Sequence, residues 1–511
     1  MKRFLLFVCL SASLKLVYGQ DTCTVLTLYH EWNEALLYCN DSIRHTAFKP
    51  ALFADTLIQA ERRSLLSRKL FEEHQVSVHD GSFHLFADFL PDFQVGISKR
   101  PQKVPWQNTR GVSIMGNIGS KVYFEAEDFE TQQRFPGYVD SFVRSRGMIP
   151  RLDTYRKLAN FNHSVADFNY TSARLVYMPD RFLLVDLGYG RNFIGDGYRS
   201  LLLSDWAFNY PYLQVSGKWR SLQYSVMWSQ YISKQGARAV DTFSYPRKWS
   251  QTFFLDWHFL PAGNIGLFES VIWPGQTVNH RNDMSWSLLS PLIFLHGNAS
   301  PSGISNFTLT GLNARFRIMF QTFLYGQAAV SNFLRNSAWK DRFAFQLGLR
   351  SFDFAGVRGL DALAEFNKVK PYMYAGNSPG INYSQFDQPL ADPLGAAFKE
   401  GVAVLHYKTG KWWFRLEALK AIYTSDQTSE ENAGGDILKP VPIGNSIPAQ
   451  GMQNHLLWTD FRAAFILNRE NNLRLEAGVT FRKESNHMDT FRDCIFMLGF
   501  RSTFRDLIRD F

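Results

Sequence analysis

Apolar and polar side chains alternate residue by residue along much of this chain. Leu473, Leu475, Ala477, Val479 and Phe481 are separated by Arg474, Glu476, Gly478, Thr480 and Arg482. Leu312, Ala314, Phe316, Ile318 and Phe320 alternate with Asn313, Arg315, Arg317 and Met319. Phe343, Phe345, Leu347 and Leu349 alternate with Ala344, Gln346 and Gly348, between Arg342 and Arg350. Phe496, Leu498 and Phe500 alternate with Met497, Gly499 and Arg501. Successive side chains of a strand point to opposite faces, so each stretch predicts a strand with one apolar and one polar face.

Eighteen such segments lie between residues 82 and 504. Their connections alternate between very short and long. Short turns fall near Gly119, Pro179-Asp180, Arg220, Pro261–Gly263, Gly356, Gly410 and Glu470-Asn471. Long connections cover about 133–164, 194–210, 234–248, 275–309, 369–399 and 424–454. Strict alternation of short and long connections, with an even strand count, is the pattern of an outer-membrane barrel. The expected fold is therefore all-β: a transmembrane antiparallel β-barrel of about eighteen strands, spanning 79–511. A terminal aromatic such as Phe511 is usual in barrels of this kind.

The first residues read as an export signal. Met1-Lys2-Arg3 is basic, Phe4–Leu10 is apolar, and Val17 and Gly19 fit the −3 and −1 positions of a cleavage site. Residues 1–19 are expected to be removed, leaving Gln20 first. No later stretch approaches eighteen uninterrupted apolar residues, so no membrane helix is predicted. Residues 20–78 are expected to form a periplasmic, partly helical segment. There Leu57, Ile58, Leu65, Leu66, Leu70 and Phe71 recur at helical spacing among charged residues. Such a helix either packs against something local or plugs and braces the barrel.

Composition fits this picture. Aromatics make up 15% of the chain, yet mean hydropathy is only −0.20, so apolar groups are dispersed among polar ones. Net charge is +9 with no run of five or six like charges, which gives nucleic-acid binding little support. Of four cysteines, Cys9 lies in the signal, Cys23 and Cys39 are candidates for a disulfide in an oxidising periplasm, and Cys494 is left over. The absence of CxxC excludes a zinc ribbon.

The densest unusual stretch runs from Gly188 to Pro211. Its glycines fit neither dinucleotide nor P-loop spacing. Gly195 and Gly197 suit a sharp fold of the chain back into a lumen. Arg191 and Arg199 could then offer planar donors to carboxylates or sugar hydroxyls, and Tyr189, Tyr198, Trp206 and Tyr210 could stack on sugar rings. The plainer reading is that these groups hold a large loop together. Gly376-Asn377-Ser378-Pro379-Gly380 matches GxSxG, but Pro379 has no N–H for an oxyanion hole. His30-Glu31 lacks the second histidine of a zinc-protease motif, and the Asn-x-Ser/Thr glycosylation sequons, such as Asn298-Ala-Ser300, read as chance.

At Gly188–Pro211 the sequence resembles the capsule assembly family of Wzi-type outer-membrane proteins, closest to its Bacteroidetes, gliding-motility RemB-like branch. Asn108–Gly111, Ile118-Gly119 and Gln133–Tyr138 carry a second match. The resemblance runs from about residue 80 onward. It implies an eighteen-stranded barrel in the bacterial outer membrane, with a periplasmic helical segment. It also implies a non-enzymatic role, without cofactor or metal, in holding capsule or other exopolysaccharide, or in adhesion or gliding. The implied partners are surface polysaccharide, outer-membrane lipid and other envelope proteins. Motif positions carried over as candidate ligand contacts are Arg110, Arg134, Tyr138, Arg191, Asp196, Arg199 and Asn209. The 424–454 loop and the 275–309 insertion depart from the capsule type. A transport channel is the alternative, motivated by Arg342, Arg350, Arg474 and Arg482 on polar faces. A wall-mounted lipid hydrolase would need a Ser–His pair that the sequence does not single out.

Overall fold

A computed structural model describes residues 22–27, 34–39, 45–56, 64–99, 104–152, 157–159, 165–234, 245–260, 262–275, 290–293, 306–332, 342–378, 380–442, 450–502 and 510–511. The expected signal at 1–19 lies outside them.

Eighteen antiparallel strands close into one barrel. In chain order they are β1 (Phe83–Ser98), β2 (Trp106–Ile118), β3 (Val122–Arg134), β4 (Val165–Tyr177), β5 (Leu183–Gly190), β6 (Tyr210–Trp219), β7 (Leu222–Ile232), β8 (Arg247–Leu260) and β9 (Gly263–Pro274). There follow β10 (Phe307–Met319), β11 (Thr322–Ser331), β12 (Phe343–Ser351), β13 (Leu360–Val369), β14 (Phe398–Thr409), β15 (Trp412–Ser425), β16 (Met452–Asn468), β17 (Leu473–Ser485) and β18 (Thr490–Ser502). Each strand pairs with the next in sequence, and β18 returns to β1 with Ile495 opposite Ser98 and Arg501 opposite Asp92. Closure satisfies the backbone groups that an open sheet edge would leave unpaired in lipid.

The alternation decides which face meets lipid. Leu312, Ile318, Leu347, Leu475 and Leu498 are exposed, while their neighbours Asn313, Arg315, Gln346, Glu476 and Arg501 are buried inside. Trp219, Trp257, Phe320 and Trp412 stand exposed beside the short turns, as a girdle at one membrane interface. Arginines of the inner wall are paired: Arg174 with Asp186 at 2.6 Å, Arg462 with Asp460 at 2.7 Å, and Arg501 with both Asp92 and Glu476 at 3.0 and 2.6 Å. A buried charge is tolerated only when paired in this way.

The segment ahead of the barrel enters the lumen at its short-turn end. Tyr38, on α1 (Glu34–Cys39), is buried against Phe323 and Phe352, with the guanidinium groups of Arg315 and Arg350 about its ring at 5.1 and 5.0 Å. Glu34 pairs with Arg350 at 2.8 Å. Phe48-Lys49 then forms a short ladder with Phe193-Ile194. The expected amphipathic helix appears as α2 (Leu65–Phe71), but Leu65, Leu66 and Leu70 face outward. The helix is held by polar contacts instead, with Asn468 Nδ2 donating to Glu73 O at 2.9 Å. The 57–63 part of the expected helix and the Cys23 side chain of the expected Cys23–Cys39 pair lie outside the described residues.

The last strand runs to Ser502, and Phe511 lies among aromatic rings at the long-loop end of the barrel.

Candidate functional site

The lumen is filled by two connections that fold inward. The first, 191–209, leaves β5 and crosses the interior. Ile194 N donates to Leu203 O at 2.8 Å, Ser200 Oγ donates to Ile194 O at 2.6 Å, and the Leu201 amide donates to Gln327 Oε1 on β11 at 2.8 Å. Leu201, Leu202 and Leu203 are wholly buried as a result. The glycines here act through close approach, not through an unusual backbone turn. Gly195 is nearly extended and Gly197 has no positive φ. A Cβ on Gly195 would lie 2.5 Å from Gln327 Nε2, and one on Gly197 would lie 2.4 Å from Glu365 Oε2. A side chain at either point would have to displace the hydrogen-bonded end of Gln327 or Glu365.

The second connection, 370–397, covers the first. Tyr374 and Tyr383 donate their hydroxyl protons to Leu201 O and Leu202 O at 2.8 and 2.6 Å, and Ser204 N donates to Leu390 O at 2.7 Å. Two buried aromatics thus cap carbonyls that would otherwise be orphaned in a dry interior.

Charged residues fasten this packing to the barrel. Asp196 accepts from Thr46 Oγ1 at 3.1 Å and Asn313 Nδ2 at 2.8 Å, and lies 3.5 Å from Arg315. Burial pushes its carboxyl up, but Arg315, Lys49 and these hydrogen bonds hold it below the usual carboxylate range. Arg199 Nη2 reaches Asp510 at 2.8 Å and Glu400 at 3.2 Å, and its Nε faces Asp392 at 3.7 Å. Asp392 is pushed well above the usual range, by burial first and then by Glu400, against the pull of Arg199. Asp205 is held low despite burial, because Arg151 and Arg191 flank it.

The third occupant is the pair Asp510–Phe511. Tyr198 donates its hydroxyl proton to Asp510 Oδ2 at 3.0 Å. The Phe511 ring packs on Tyr138 and Phe142 of α3 (Gly137–Arg146) and on Trp206, with centroids at 5.8, 4.8 and 5.4 Å. Arg482 lies over the Tyr138 ring at 4.7 Å and donates to Phe511 O.

The predicted positions therefore divide. Arg199 and Tyr138 come together around Asp510–Phe511. Asp196 lies deeper, toward the short-turn end. Arg191 spans Asp205 O and the Tyr170 hydroxyl at 3.2 and 3.3 Å. Asn209 is buried, donating to Thr171 O at 2.7 Å and accepting from Gln385 at 3.0 Å. Arg134 ends β3, half-buried opposite Trp106. Arg110 is on the outer face of β2, away from the others. Of the aromatic candidates, Trp206 and Tyr210 are buried in the loop packing, and Tyr189 is on the exterior. Arg350 and Arg482 point inward, whereas Arg342 precedes β12. The residues that complete the packing, Arg315, Glu365, Tyr374, Tyr383 and Asp392, lie outside the two motifs.

Among the described residues no cluster of His, Cys, Asp and Glu could hold a metal ion. No helix among them is long and apolar enough to cross a membrane; the strands do the crossing.

A closed barrel with an apolar outer band, an aromatic girdle and a charged interior defines an outer-membrane β-barrel protein. No protein family and no curated protein is matched by the sequence. Among solved structures the chain is similar to Wzi of Escherichia coli, an outer-membrane protein involved in group 1 capsule assembly and a carbohydrate-binding β-barrel. The TM-score is 0.50 at 13% identity, over 81% of this chain and 84% of that one. OprD of Pseudomonas aeruginosa gives 0.41 at 8% identity, over 86% of this chain and 98% of that one. OccAB2 of Acinetobacter baumannii gives 0.44 at 9%, over 83% and 100%. At these identities the likeness is one of fold.

Proposed function

We propose that this protein holds surface polysaccharide at the outer membrane without catalysing a reaction. One observation carries the reading: the lumen is filled by the chain's own loops, and rings and arginines gather where the long connections begin. A filled barrel has little use as a conduit, whereas aromatic faces and guanidinium groups suit sugar rings and acidic substituents. The Wzi-like fold supports a polysaccharide ligand. The bound polymer serves capsule or exopolysaccharide assembly, adhesion or gliding, as the motif resemblance implies. The test is titration of detergent-solubilised protein with polysaccharide from its host's own surface. Saturable binding is expected; an isotherm flat across all host glycans would remove the reading.

The channel alternative draws on the charged inner wall, where Arg174, Arg462 and Arg501 each stand beside an acidic partner. It requires the 191–209 and 370–397 connections to withdraw.

A further inference from the structure

The Asp510–Phe511 pair occupies a pocket whose chemistry is not that of an ordinary core. Tyr138, Phe142 and Trp206 face one ring from three sides. Arg482, which pairs with Glu484 at 2.8 Å, adds a guanidinium that lies over Tyr138 and donates to Phe511 O. The visiting ring is itself only partly buried. Three aromatic rings, one edge-on and two tilted to the visitor, and a planar cation form a receptor for a flat or chair-shaped ring that carries an oxyanion.

The charges beside Phe511 are crowded. The adjoining Asp510 is a third carboxylate on Arg199, which already serves Glu400 and Asp392. With Asp392 favouring its protonated form, Glu400 and Asp510 still share the single guanidinium charge of Arg199, and that surplus works against keeping Asp510 there. The pair is thus attracted by its ring and opposed by its charge environment.

We propose that this pocket is a binding site for an acidic pyranose of the surface polymer, and that Asp510–Phe511 occupies it until such a sugar displaces them. The sugar ring takes the place of the Phe511 ring, and its carboxylate takes the Arg482 donor that Phe511 O now uses. The inference rests on the polysaccharide reading above and adds the sugar class and the competitor.

The test uses the full chain in detergent, with para-fluorophenylalanine at position 511 followed by fluorine NMR. Oligogalacturonate is the acidic probe and maltohexaose the neutral one. The resonance is expected to move to the position of a solvated ring with oligogalacturonate and to stay put with maltohexaose. Phe511→Ala is expected to bind oligogalacturonate about tenfold more tightly, the factor for a site otherwise self-occupied about nine-tenths of the time. Arg482→Gln is expected to lose that binding. Phe511→Leu serves if the alanine variant lacks the heat-modifiable band of a closed barrel, and its gain should be smaller but in the same direction. Binding of oligogalacturonate or host polymer with an unmoved resonance, and no gain in either position-511 variant, would overturn the displacement and leave the polysaccharide reading intact. Binding of neither probe nor host polymer, by wild type or variants, would overturn both.

Discussion

Replacing Arg199 with methionine keeps an unbranched apolar stem and removes the guanidinium charge. Asp510, Glu400 and Asp392 then lose the cation that now lies 2.8, 3.2 and 3.7 Å from them. Breaking a buried ion pair by removing one partner costs about 3–5 kcal/mol. Here the lower end applies, because Asp392 already favours its protonated form and can absorb part of the loss. About 3 kcal/mol corresponds to roughly a hundredfold change in an equilibrium constant. The change falls on the packed loop, since the strands keep their own ladders. Native-state hydrogen exchange reads it at the Leu201 and Ser204 amides, which donate to Gln327 Oε1 and Leu390 O. Their exchange should quicken by about that factor in Arg199→Met while amides in β16 and β17 hold. Exchange within a few-fold of wild type would show that Arg199 does not fasten the loop and would refute the reasoning.

Three further outcomes are expected. Gly197→Ala sets a Cβ 2.4 Å from Glu365 Oε2 and should cost about 1–3 kcal/mol, seen as a lower temperature for loss of the heat-modifiable band. Arg110→Ala should leave glycan affinity unchanged, since Arg110 is on the outer face of β2; a loss of affinity would move the site off the lumen mouth. Asp392 gives the loop packing a pH dependence of definite sign. Its carboxyl is raised in the packed state, so that state holds a proton which the opened state releases. Its contribution is complete below about pH 4, the ordinary aspartate value, and is lost as pH rises through the raised value. Loop exchange, corrected for intrinsic rates, should show that slope in wild type and lose it in Asp392→Asn.

Much of the barrel was readable from the alternation alone. The strand ends differ from the expected segments by no more than three residues, as at Phe307 and Phe343. Period-two patterning is a local property and survives without knowledge of neighbours. The lumen was less readable, because its contacts are not local. Arg199 meets Asp510 some 311 positions away, and Tyr383 meets Leu202 at 181. No periodicity marks Tyr374, Tyr383 or Asp392, which lie on an irregular loop. The motif at 188–211 was visible, but the role of its glycines was not. Gly197 is needed because Glu365, on a distant strand, sits where a side chain would go. Arg110 falls inside a motif yet points outward, since motif membership does not fix the face of a strand.

The most direct test is the current through purified wild-type protein in a planar bilayer. A lumen filled by 191–209, 370–397 and Asp510–Phe511 predicts a silent membrane once insertion is verified. Stepwise ohmic openings would contradict the filled lumen and move the protein to the channel reading.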